Sequence, residues 1–128
     1  MNIEAIHHVS LKTNDLDASR RFYTQVLGLK EMERPAFDFS GAWLQVGESQ
    51  QIHLIEDPHF TFNESREFDT RGNHLALRVD SYQGAVQWLK EHGIEMKAKP
   101  ESRSGFAQIF CCDPAGHTVE LNAPMNEN

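Results

Sequence analysis

The feature that most constrains this chain is a repeat. The order strand, helix and three strands reads twice along its 128 residues. In the first half, a strand is expected over residues 6–12, followed by the polar break Thr13-Asn14-Asp15. Ala18, Phe22, Tyr23, Val26 and Leu27 then recur at three- and four-residue spacing, the mark of one helical face. Asn14 or Asp15 suits the helix start and Gly28 its stop. Strands are expected over 29–33, 42–46 and 50–55, with Gly47-Glu48-Ser49 as the turn between the last two. In the second half, a strand over 73–79 precedes a helix opened by Asp80 or Ser81, striped by Ala85, Trp88 and Leu89, and closed by Gly93. Strands over 94–98, 105–112 and 117–122 follow, the last two joined by the turn Asp113-Pro114-Ala115-Gly116.

The spacing supports the repeat. His8 and His74 lie 66 positions apart, Gly28 and Gly93 lie 65 apart, and His53 and Glu120 lie 67 apart. Identity between the halves is low, so the repeat is one of pattern. It predicts one α+β domain over 1–128, with a first module at about 3–57, a linker at about 58–72 and a second module at about 73–123. The linker carries Phe60, Phe62 and Phe68 and reads as a connection with aromatics tucked into the surface.

Strand side chains alternate between faces. His8, Ser10 and Lys12 therefore share a face, as do Gln51, His53 and Ile55 in the fourth strand. In the second half His74, Ala76 and Arg78 form one such set and Thr118, Glu120 and Asn122 another. Each half thus offers one chemical group from its first strand and one from its last, and all four are His or Glu. Neutral imidazoles with one carboxylate suit a divalent metal. A buried carboxylate is costly unless it is paired, and a metal is one way to keep Glu120 charged.

Composition narrows the function classes. The formal net charge is −7, from 12 Lys+Arg and 19 Asp+Glu, which argues against a nucleic-acid partner. No apolar run approaches the roughly 18–20 residues of a membrane span, so no membrane association is expected. The N-terminal residues lack the basic and apolar regions of a signal peptide, and the two cysteines, Cys111 and Cys112, are adjacent and ill placed for a disulfide. A cytoplasmic protein is the expectation. Neither a nucleophile elbow, a P-loop nor a dinucleotide fingerprint is present.

Several stretches together resemble the vicinal oxygen chelate superfamily, which includes glyoxalase I, methylmalonyl-CoA epimerase, extradiol dioxygenases and fosfomycin and bleomycin resistance proteins. They are Ile6-His7-His8-Val9-Ser10-Leu11, Asn14-Asp15-Leu16-Asp17-Ala18-Ser19, Phe22-Tyr23, Val26-Leu27-Gly28-Leu29, Asn73-His74-Leu75-Ala76-Leu77 and Asp113-Pro114-Ala115-Gly116-His117-Thr118-Val119-Glu120-Leu121. The resemblance covers nearly the whole chain. It implies paired βαβββ modules in a curved, half-open eight-stranded barrel around a metal, and a homodimer. His8, His74 and Glu120 fall on family ligand positions. His53 falls where glyoxalase I usually has Glu and the epimerases usually have Gln, so it is either a fourth ligand or an acid/base beside a three-ligand metal.

The resemblance implies a metal-dependent lyase or isomerase of the glyoxalase I type, acting on a small α-hydroxycarbonyl or thiol-adduct substrate. Glu120 and His53 are the candidate catalytic groups. Zinc or nickel suits the donor set, with iron(II), manganese or cobalt as alternatives. An extradiol-type iron dioxygenase is the rival enzyme, a fosfomycin-type thiol transferase a third, and a bleomycin-resistance-like binder the rival of another class. Lys12, Arg78, Arg103 and Trp43 are candidates for contact with substrate. Glu56 has the opposite strand parity to His53 and ranks below it. His7 is expected on the face away from His8, in a structural role, while His59, His92 and His117 read as loop or helix-end residues and Cys111 and Cys112 as strand core.

Overall fold

The computed structural model describes residues 1–125. It divides into two units, Met1–Phe62 and Asn63–Asn128. In the first unit β1 (His8–Thr13) leads to helix α1 (Leu16–Arg21), a π-helical turn (Phe22–Val26), β2 (Lys30–Met32), β3 (Gly41–Val46) and β4 (Gln50–Glu56). The sheet order is β1-β4-β3-β2, with β1 parallel to β4 and the other pairs antiparallel.

Local chemistry sets the α1 start. The Asp15 carboxylate accepts from Ala18 N at 3.1 Å, and the Glu56 carboxylate accepts from Leu16 N at 3.3 Å. Glu56 is therefore occupied at the start of α1. Buried Ser19 donates to Thr13 Oγ1 at 2.7 Å, which ties the helix to the end of β1. The single helix expected through Leu27 is instead an α-helix that widens into a π turn, closed by Leu27 N to Phe22 O at 3.0 Å. A wider turn leaves a smaller angle between successive side chains, so the neighbours Phe22 and Tyr23 both sink into the core, edge to face at 5.1 Å. Gly28 then takes φ +74, where a Cβ is disfavoured.

One face of this sheet is core. Ala42, Leu44, Ile52 and Leu54 are all almost fully buried, on the side of Leu16, Phe22 and Tyr23. Burying each Leu or Ile contributes about 1.5–3 kcal/mol. By alternation, Trp43, Gln51, His53 and His8 occupy the other face, with Trp43 opposite His53 across β3 and β4.

The second unit runs β5 (Leu75–Arg78), α2 (Tyr82–Glu91), β6 (Lys97–Lys99), β7 (Ala107–Cys112) and β8 (Thr118–Ala123), in the order β5-β8-β7-β6. Again the first and last strands are parallel neighbours. Ser81 caps α2 by accepting from Gly84 N at 2.9 Å. The expected strand at 94–98 begins only at Lys97, because Ile94 N turns back to Leu89 O at 2.9 Å to close the helix over Gly93, φ +68. Buried Asp113 organises the β7–β8 turn, accepting from Ala115 N at 3.0 Å and His117 N at 2.8 Å. The chain before β5 is held against that turn. Arg66 donates to the Asp113 and Pro114 carbonyls at 2.7 and 3.2 Å, and Asn63 donates to Gly116 O at 3.0 Å.

No helix among the described residues is long and apolar enough to cross a membrane.

Candidate functional site

Each unit places two of the four expected donors together. In the first, the rings of His8 and His53 stack at 4.1 Å between centroids, nearly parallel at 13°. The indole of Trp43 stacks on the other side of His53 at 4.2 Å and 5°. His53 is thus a plate between two plates, and only 8% of it is exposed. Its Nε2 lies 2.7 Å from Gln51 Oε1. With the amide oxygen accepting there, Nε2 carries the proton and Nδ1 keeps the lone pair. Burial, then the nearby His8, His7 and Arg34 in that order, hold the His53 imidazolium below its ordinary pKa, which favours the neutral ring.

His7 departs from its expected place. The strand starts at His8, so alternation does not govern residue 7, and His7 Nδ1 lies 2.9 Å from His8 Nδ1 with the rings edge to face. His8 is exposed and His53 buried, so the pair offers one accessible and one shielded imidazole.

In the second unit, Glu120 lies on β8 and is 4% exposed. Its Oε1 is 3.1 Å from His74 Nε2, and its Oε2 accepts from Asn122 Nδ2 at 3.2 Å. His74 stands just before β5, with Nδ1 3.0 Å from Gly72 O. A carbonyl can only accept, so Nδ1 holds a proton. In the neutral ring, Nε2 then turns a lone pair toward a carboxylate. Two acceptors 3.1 Å apart are stable only with a positive charge shared between them, either a proton or a cation. Phe110 closes the side of His74 edge-on at 5.9 Å, and Phe110 sits opposite Glu120 in the ladder.

A nitrogen pair in one unit and a nitrogen–oxygen pair in the other are borderline donors of the kind that zinc, nickel, cobalt and iron(II) accept. The close approach of His74 Nε2 to the Glu120 carboxylate is satisfied by a positive charge between them, which a divalent ion would supply. The residues present therefore fit a divalent metal. Within neither unit do three His, Cys, Asp or Glu side chains gather, among the described residues.

The candidates for substrate contact are dispersed. Trp43 is part of the His53 stack. Lys12 bridges to Asp57 at 3.3 Å, and both are substantially exposed. The His59 backbone N–H, then Lys12, keep the Asp57 carboxyl below its usual pKa. Arg78 lies over the Phe106 ring at 5.8 Å, and Arg103 is exposed in the turn before β7. His92 caps α2 through Trp88 O at 2.8 Å. Sequence reasoning missed Phe37, which borders Trp43, and Arg34 and Phe39, which pack on Phe37, because the loop before β3 has no periodicity to read. It also gave no role to Gln51 and Asn122. The usable signal was parity, since each lies two residues from His53 or Glu120 on the same strand.

Comparison with known proteins agrees with this architecture. The Salmonella typhimurium protein named lactoylglutathione lyase is 32% identical over 122 residues, covering 89% of this chain and 88% of its own. A metallothiol transferase, FosB of Staphylococcus epidermidis, is 28% identical over 125 residues, covering 95% of this chain and 83% of its own. The crystal structure of a glyoxalase/dioxygenase from Nostoc punctiforme superposes with a TM-score of 0.81 at 26% identity, over 96% of this chain and 92% of that one. The two mixed four-stranded sheets are those of an α+β glyoxalase-like fold. The family model of the Glyoxalase/Bleomycin resistance protein/Dioxygenase superfamily matches residues 5–121, and this chain belongs to that superfamily.

Proposed function

We propose that this protein is a metal-dependent isomerase or lyase of the glyoxalase I type, acting on a small α-hydroxycarbonyl or thiol-adduct substrate. The observation that carries the reading is Glu120, a buried carboxylate whose Oε1 lies 3.1 Å from His74 Nε2. The relatives named lactoylglutathione lyase support it. His8, His53, His74 and Glu120 are the proposed ligands of one divalent ion, with zinc or nickel favoured. Such an ion, when bound, supplies the Lewis acid that stabilises an enediolate.

The chain's own groups move the proton. Glu120 takes it from the carbon bearing the hemithioacetal oxygen and returns it to the neighbouring carbonyl carbon. The substrate leaves as its 2-hydroxy thioester isomer, so no oxidant and no second reactant is needed. Asn122, bonded to Oε2, holds the carboxylate plane while Oε1 works. Gln51 fixes the ring and tautomer of His53, and the flanking rings keep water from its faces. A cytoplasmic homodimer completes the proposal.

The test is His53→Ala in protein reconstituted separately with zinc, nickel and iron(II), with metal content and turnover measured together. A fourth ligand predicts reduced metal content, and activity of the parent protein with zinc or nickel on a hemithioacetal. Unchanged metal content, with oxygen consumption on a catechol by the iron(II) form alone, would replace this reading by an extradiol dioxygenase. Thiol transfer to an epoxide without isomerisation would place the chain with the metallothiol transferases.

A further inference from the structure

Each of the three proposed imidazole ligands has one ring nitrogen held by the chain. His53 Nε2 lies 2.7 Å from Gln51 Oε1, and His74 Nδ1 lies 3.0 Å from Gly72 O. Both partners stand two residues before the histidine they hold. At His8 that position is Ile6, whose exposed apolar side chain can hold no ring nitrogen. His7 fills the gap, with Nδ1 2.9 Å from His8 Nδ1. So close a neighbour can reach there because β1 begins at His8, and residue 7 escapes the pleat that would turn it to the other face.

His7 is itself anchored. Its carbonyl accepts from Gln51 N at 3.1 Å, on the strand that also carries His53. The two contacts of His8 then divide the work. Stacking on His53 at 4.1 Å and 13° fixes the plane of the His8 ring. It does not tell the two edges of that ring apart, since a half-turn about Cβ–Cγ leaves the plane where it was. The directional bond at Nδ1 chooses between them, with the His7 ring meeting His8 edge to face at 5.1 Å and 86°.

Two neutral rings in such contact share one proton between the facing nitrogens, and its owner decides what His8 can do. With the proton on His7, the His8 Nδ1 lone pair is spent on the bond and Nε2 carries the other proton, so His8 has no nitrogen left for a cation. With the proton on His8 Nδ1, the lone pair stands free on Nε2. From this we infer that His7 is a positioning residue for the divalent ion: it accepts from His8 Nδ1 and so makes His8 Nε2 the nitrogen presented to the metal. The inference rests on the reading above, in which His8 is a ligand.

Two measurements test it, and neither needs turnover. The first is zinc affinity, by competition with a chromophoric chelator. Loss of a partner that orients a ligand weakens metal binding roughly 10–100-fold, so His7→Ala should raise the zinc Kd about tenfold or more. His7→Phe keeps a ring edge but no acceptor and should do the same. His7→Asn places a carbonyl oxygen near the lost Nδ1 and should bring the Kd back to within about threefold of the parent. The second is long-range proton–nitrogen NMR of the metal-free protein at about pH 8.5, two units above an ordinary imidazole pKa. His8 should show the Nδ1–H tautomer in the parent and in His7→Asn, and lose that preference in His7→Ala. His7 is exposed, so its variants should fold, which circular dichroism checks. An unchanged Kd in His7→Ala, where His8→Ala weakens zinc binding, would remove the role of His7 and leave the ligand set standing. An Nε2–H tautomer at His8 in the parent would also overturn it. A loss in His7→Ala as large as in His8→Ala, not rescued by Asn, would make His7 a ligand and not a positioning residue. An unchanged Kd in His8→Ala would take His8 from the ligand set, and the inference with it.

Discussion

The two units repeat one topology but hold their paired donors by different forces. In the first, His53 is kept by contact between faces, with His8 on one side, Trp43 on the other and a neutral amide at its edge. In the second, His74 is kept by charge, between a carbonyl and the carboxylate of Glu120. A stack tolerates any flat ring of the right size. A buried carboxylate tolerates only a partner that brings positive charge or a proton. The donor pair is therefore under a shape constraint in one unit and an electrostatic one in the other.

The largest expected effect is on catalysis, and it falls in the second unit. Glu120→Gln should lower kcat about 10²–10⁴-fold, the range for loss of a positioned acid/base. Metal-reconstituted initial rates measure it, and a loss below tenfold would remove Glu120 from the proton path.

The next prediction opposes the units directly. His74→Phe strands the buried Glu120 carboxylate and should destabilise the metal-free protein by about 3 kcal/mol. His53→Phe keeps a flat ring between His8 and Trp43 and should cost no more than about 1.5 kcal/mol, as volume-conserving exchanges do. Urea unfolding of both variants checks this, and equal costs would break the contrast.

Helix capping should be indifferent to the contrast. Asp15→Ala and Ser81→Ala each remove one bond to a helix N–H and should each cost about 1 kcal/mol by the same urea measurement. A difference larger than the error would show that the two helices carry unequal shares of their units.

The smallest effect concerns the two sulfurs of β7. Burial, with the neighbouring Cys112 and Asp113, pushes the Cys111 thiol up to about 12. The folded state holds that proton more tightly than the unfolded one, so its stabilising contribution is complete below the unfolded pKa and is lost as pH rises toward 12. At pH 8, a thiol reagent under native conditions should therefore modify half-buried Cys112 first and Cys111 only on unfolding, as read by mass spectrometry.

Much of this was legible in the sequence, for reasons that differ by residue. Strand parity placed Gln51 and His53 on one face, because alternation is fixed by the pleat, while only the β3–β4 register sets Trp43 opposite His53. Each helix cap was legible to within two neighbours, Asn14 or Asp15 and Asp80 or Ser81, because a helix start has few chemical solutions, and the structure uses Asp15 and Ser81. The π turn at Phe22–Val26 was not, since its apolar spacing matches an α-helix and only the joint burial of Phe22 and Tyr23 favours the wider turn. The late start of β6 at Lys97 depends on Ile94 closing the helix, a backbone bond that no side chain announces. Phe37 and Phe39 lie in a loop, where contacts across space leave no period along the chain.

The parallel pairing of first and last strands also has a kinetic consequence. The β2–β3 and β3–β4 contacts are made between strands close in sequence, whereas His8 of β1 meets Gln51 of β4, and Leu75 of β5 meets Val119 of β8. Closing so long a loop costs entropy that local hairpins do not, so in each unit this pairing should form late. His8 rides on one such late strand and His53 on its partner, while His74 abuts β5 and Glu120 rides on β8. On a growing chain, each unit's helix and hairpins can therefore assemble first, and its two donors meet only when its last strand docks.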